Sequence, residues 1–138
     1  MATDFQLEMS RLGGGQTRIT KQIAISMVAG ATVTDSSFNP PVGSYIMGLR
    51  SHTGATYSGA PTNINLTIGK TAGAAEYVNT LDVKTTATPV TNTLVNSTDY
   101  DSWPGANAFC ITLTAVGGTN PAGTTYVYID YAPPTALA

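Results

Sequence analysis

At 138 residues the chain has room for one domain with a real core and is too short for two of ordinary size. Charged residues make up only 10 % and hydrophobic residues 42 %, with a formal net charge of −2, so the chain should fold, and its surface must be covered by uncharged groups. That profile suits secreted or assembled β proteins better than a freely soluble cytosolic enzyme, and six basic residues spread singly (Arg11, Arg18, Lys21, Arg50, Lys70, Lys84) argue against nucleic acid as a direct partner.

Residues 1–17 read as an N-terminal arm. DFQLEMSRL can make at most about two helical turns, too few to be stable alone, and Gly13, Gly14 and Gly15 act as a swivel before the first strand. The arm therefore needs a partner surface, with Phe5, Leu7, Met9 and Leu12 as its candidate contacts. It has no basic region followed by an apolar core, so no Sec signal is expected. No segment approaches the ~20 apolar residues of a membrane span, and no membrane partner is expected.

From Arg18 to Val28 polar and apolar residues alternate with β-branched side chains, the pattern of a long strand. A long connection, 29–43, ends in Pro40 and Pro41 and is expected to cross from one sheet to another. Tyr45 to Arg50 is the next strand, followed by a loop, 52–62, that contains the single histidine, His52. In Asn63 to Val83, Ile64, Leu66 and Ile68 alternate with Asn63, Asn65 and Thr67. A small-residue turn follows, and Tyr77, Val78, Leu81 and Val83 lead away from it as a second strand. Lys70 and Glu76 on that turn read as charges at the rim of a contact surface.

Residues 89–96 make an imperfect strand. A polar loop at 97–102 runs into Trp103, and two alternating stretches, 108–116 and 124–131, look like an antiparallel hairpin about the turn GGTNPAG. The count, about seven or eight strands with no convincing helix, predicts an all-β fold: a two-sheet antiparallel sandwich of jelly-roll type. Its bounds are 18–132, with a C-terminal tail at 133–138.

Chemistry is thin. His52 has no acid near it in sequence to orient it, no nucleophile elbow, phosphate loop or zinc spacing occurs, and the lone Cys110 sits between Phe109 and Ile111 like a packed core residue. Asp99 and Asp101 offer oxygen atoms on one loop but lack the continuation of a calcium loop. No catalytic residue, metal or cofactor is expected. The remaining handle is aromatic: Tyr57, Tyr100 and Trp103 all fall in predicted loops, where they are candidates for contact with a partner protein or a glycan. The alternative for Trp103 is a plug at one end of the sandwich. Tyr126 and Tyr128 share the face opposite Val127 and Ile129, and should be covered either by the second sheet or by another subunit.

Taken together, the polar Thr/Ala/Gly-rich strands, the GKTAGAAEYV turn with its following LDV, and the terminal ITLTAVGGTNPAGTTYVYIDY resemble accessory head proteins of tailed bacteriophages and gene transfer agents, over roughly residues 18–132. The resemblance implies a virion structural protein, a small jelly-roll-like domain on the capsid acting as decoration or as the base of a head spike or fibre. It implies the major capsid protein as partner, a homo-oligomer, a fibre or spike protein as a further partner, and assembly in the bacterial cytoplasm. It brings no site motif, so no binding residue is transferred. The reading from a different class is a carbohydrate-binding β-sandwich for host attachment, using Tyr57, Tyr100 and Trp103.

Overall fold

The computed structural model describes residues 18–30, 32–85, 90–92 (backbone) and 109–133. They form eight strands: β1 Ile19–Met27, β2 Thr32–Asp35, β3 Tyr45–Thr53, β4 Asn63–Gly69, β5 Val78–Asp82, β6 Val90–Asn92, β7 Cys110–Val116 and β8 Gly123–Ala132. Two four-stranded sheets result, sheet A in the order β1-β8-β3-β6 and sheet B in the order β2-β7-β4-β5. Every pairing between these strands is antiparallel. The first strand lies beside the last and the second beside the seventh, which is the double Greek key of a jelly roll.

The alternation predicted for β4 puts Ile64, Leu66 and Ile68 fully inside, 0 % exposed. Across the sheet they face Ala115, Leu113 and Ile111 of β7. From sheet A, Ile23, Ile25 and Met27 of β1, Leu49 of β3 and Val127 and Ile129 of β8 close the core from the other side. Each such side chain contributes about 1.5–3 kcal/mol by leaving water, so the interior rows set the register of every strand.

The connection 29–43 crosses from sheet A to sheet B as expected, but it carries a strand of its own, β2. Two expectations are corrected. First, β7 and β8 are not a hairpin: β7 pairs with β2 and β4, and β8 pairs with β1 and β3. A sandwich corner and a hairpin demand the same alternation, and what distinguishes them here is loop packing. Residues 117–122 dock against 58–62 through the amide of Thr119 on Gly59 O (2.8 Å) and the amide of Thr62 on Val116 O (2.8 Å). A side chain at Gly118 would come within 2.6 Å of Gly59 O. Glycine is required there to let the two backbones meet.

Second, β3 runs to Thr53, so His52 lies on a strand and not in a loop. The inward positions Ser51 and Thr53 are polar, which hid the strand in the sequence. They are tolerated because the end of the sandwich is closed by hydroxyl groups: Thr53 Oγ1 donates to Val83 O (2.7 Å) and lies 2.9 Å from Thr125 Oγ1. The strand expected at 89–96 is represented by β6; its remaining residues lie outside those described.

The turn after β4 folds back on its own sheet. The carboxylate of Glu76 accepts the amide of Lys70 (3.1 Å), and the amide of Gly73 donates to Thr112 Oγ1 (3.0 Å) on the outer face of sheet B. Glu76 thus closes a loop, a structural job beyond that of a rim charge.

Candidate functional site

The outward positions of sheet A assemble a surface that no stretch of sequence contains. Opposite the core rows, β1 presents Thr20, Gln22, Ala24 and Ser26, and these align with Asp130, Tyr128, Tyr126 and Thr124 of β8. On the other side of β8, Gly48, Arg50 and His52 of β3 align with Asp130, Tyr128 and Tyr126. A bulge between Ile46 and Gly48 turns out Met47, and Tyr45 stands beside it.

The centre of this surface is an ion cluster. Asp130 Oδ2 accepts from an Arg18 Nη atom at 3.0 Å, and Oδ1 accepts from Arg50 (3.1 Å) and from the Thr20 hydroxyl (2.6 Å). The Asp130 side chain is 2 % exposed, whereas the Arg18 and Arg50 side chains are 57 % and 39 % exposed. The carboxylate is sealed beneath two open guanidinium groups, which leaves one positive charge in excess. Burial pushes the Asp130 carboxyl up. The Thr20 and Arg18 hydrogen bonds and the charges of Arg50 and Arg18 outweigh that and hold it below the usual aspartate range.

Arg50 also lies over the Tyr128 ring, 5.3 Å from its centroid. Its Nε is buried with no hydrogen-bond partner among the described residues. At one end Tyr45 and Met47 are 41 % and 47 % exposed. At the other a shallow groove of about 420 Å³ runs between Gly54, Thr56 and Ser58 on one wall and Gly123, Thr124 and Tyr126 on the other.

The residues singled out from sequence fare differently. Tyr57 is 4 % exposed, with its hydroxyl 2.8 Å from Thr125 Oγ1, so it belongs to the core of this subunit and is not presented to a partner or a glycan. Burial pushes that hydroxyl up, partly offset by the Thr125 bond. Tyr100, Trp103 and the arm residues Phe5, Leu7, Met9 and Leu12 lie outside the described residues, as do Asp99 and Asp101. His52 is half-buried opposite Tyr126. Burial and the charge of Glu76 push the Cys110 thiol up, which keeps it protonated and unreactive. Among the described residues, no group of three or more His, Cys, Asp or Glu could hold a metal ion.

Tyr126 and Tyr128 were flagged in the sequence as needing cover. They face away from sheet B and are half-buried, Tyr128 beneath Arg50. The grouping of Arg18, Arg50 and Asp130 is not legible in the sequence because the pairs lie 32, 80 and 112 positions apart, and only the β1-β8-β3 order joins them.

No protein-family model and no curated protein matches the chain. Among solved structures, a chain in the cyanophage Pam1 capsid asymmetric unit is similar, with a TM-score of 0.60 at 17 % identity over 86 % of this chain and 86 % of that one. At that identity the likeness concerns the fold alone.

Proposed function

We propose that this chain is a virion structural protein that binds the capsid surface, either as decoration or as the base of a head spike or fibre. The supporting observation is the jelly roll itself, which shares its fold over 86 % of its length with a chain from a cyanophage capsid unit. The outward surface fits the same reading. Sheet A carries Tyr, Met and Arg, the residue types enriched where proteins meet, and a face of that composition suits a binding role more than a catalytic one. The proposal assigns no catalytic role and no cofactor. Its partners are the major capsid protein, further copies of the chain and, for the spike role, a fibre protein. Binding through several sites of one shell multiplies weak contacts.

The test is occupancy. Shells purified from cells that make the particle should carry the protein at a fixed ratio to the major shell subunit by quantitative mass spectrometry. Shells devoid of it would end the reading. Deleting residues 1–15 should abolish incorporation while circular dichroism still reports a folded β domain, and normal incorporation would remove the arm from the binding mechanism.

A further inference from the structure

We propose that the outer face of sheet A, centred on Arg18, Arg50 and Tyr128, is the surface that docks on the shell, and that it meets a carboxylate-bearing protein surface. This inference rests on the capsid reading above and assigns it a face and a chemistry.

Charge complementarity decides the occupant. Asp130 is spent inside the cluster, 2 % exposed, while the two guanidinium groups it holds remain 57 % and 39 % exposed. One acid anchors two bases, so the face offers a surplus cation whose geometry is already fixed by hydrogen bonds of 3.0 and 3.1 Å. Guanidinium held in this way loses little freedom on meeting a second carboxylate, and planar two-point recognition of carboxylate is what arginine does best. Arg50 has its Nε buried, and its stack on Tyr128 holds its plane against the sheet.

The surroundings supply the rest of an interface. Tyr45 and Met47 give exposed apolar area at one end, and the groove beside Tyr126, about 420 Å³, gives relief into which a partner side chain can insert at the other. The outward residues of β1 between them, Gln22, Ala24 and Ser26, are exposed and uncharged, so nothing on that strand repels an acidic neighbour. Sheet B differs: the outward rows of β2, β7 and β4 include Thr32, Thr34, Thr112, Thr114, Asn65 and Thr67, and at the β5 edge Asp82, aligned with Asn65, is matched one to one by Lys84 at 3.9 Å, so that pair offers no surplus cation.

The experiment places two acids on each face in turn. Gln22→Glu with Ala24→Glu charges sheet A beside Tyr128 and Tyr126 without touching the ion cluster; Thr32→Glu with Val116→Glu charges the outer face of sheet B. Shells are purified from cells making each full-length variant, and copies per shell are counted. The sheet A pair should lower occupancy by about tenfold or more and the sheet B pair by less than about twofold, since like charges across an interface are strongly disfavoured. Wild-type occupancy should also fall when the wash is raised from about 0.05 to about 0.5 M salt. Each variant is checked for a cooperative melt, and Gln22→Glu alone serves if the sheet A pair does not fold. Equal occupancy of the two pairs, with wild type on the shell, overturns the assignment of the face and leaves the capsid reading standing. Shells without wild-type protein would sink both. Loss of a soluble oligomer by the sheet A pair, with shell occupancy intact, would make this face a contact between copies and also overturn the proposal.

Discussion

On the outside of sheet A, Arg18, Asp130 and Arg50 link β1, β8 and β3 through charge, whereas the row across sheet B is Thr34, Thr112 and Thr67. Both rows satisfy the same backbone. Threonine suits a pleated surface by its branching, and Thr34 and Thr112 bond hydroxyl to hydroxyl at 3.1 Å. The sheet B row is also roofed by its own turn, since Gly73 donates to Thr112, leaving that side chain buried. The row through β2, β7 and β4 thus joins its strands with uncharged side chains. The buried carboxylate of the other face carries a desolvation cost that two partly exposed arginines offset, and a gain beyond folding is the natural reason to keep it.

The largest expected effect comes from breaking the sheet A row. Asp130→Ala leaves two guanidinium groups facing each other without their acceptor and should cost about 2–4 kcal/mol, read as a shift in the urea midpoint at unchanged m value. A cost below about 1 kcal/mol would mean that the cluster adds little to the fold. Next is the sheet B row: Thr112→Val keeps the shape, removes the acceptor for the Gly73 amide and should cost about 1–2 kcal/mol. Amide hydrogen exchange should then rise at Gly73 first, and an unchanged rate there would contradict the roof.

Acid titration separates the faces further. The folded pKa of Asp130 lies below its unfolded value, so its contribution is complete above the ordinary aspartate pKa, about 3.9, and is lost as pH falls through the lowered folded value. Asp130→Asn should remove that part of the acid sensitivity, flattening the stability curve below about pH 4 relative to wild type. Thr112→Val should displace the whole curve without changing its shape. Parallel curves for wild type and Asp130→Asn would show that the cluster does not shift this carboxyl.

The smallest effect is a gain. Thr80 on β5 is a β-branched residue with a φ of 53°, in the left-handed region that such residues resist, and its neighbourhood is irregular because the β4–β5 register slips between Leu66 and Ile68. Thr80→Asn should stabilise by about 0.5–1 kcal/mol, since asparagine tolerates that conformation. A loss of similar size in the thermal melt would show that the Thr80 hydroxyl bond to Asn79 outweighs the strain.

Core rows are legible in the sequence where apolar and polar residues alternate locally. Ile64, Leu66 and Ile68 declared their face, because alternation over a half-buried strand is a local property that burial of one side enforces. So did Ile23, Ile25, Val127 and Ile129, and with them the sandwich. Where polar residues face inward the signal vanishes: the predicted strand stops at Arg50 and Thr53 falls in the predicted loop, since only the hydroxyl cluster with Thr125 and the Val83 carbonyl makes Thr53 compatible with a core. Tyr57 was misread for the same reason, a loop residue by neighbours and a core residue by packing against Thr125 and Gly123.

By itself, then, the sequence determined a sparsely charged all-β chain with strands of known inward rows, because side-chain period and turn composition act over a few residues. The tertiary structure alone decided that β7 and β8 part into different sheets, and that Arg18 and Arg50 meet over Asp130, 112 and 80 positions away. Which strand lies beside which depends on loop docking and on the total burial of two faces at once, and neither is written in any local pattern.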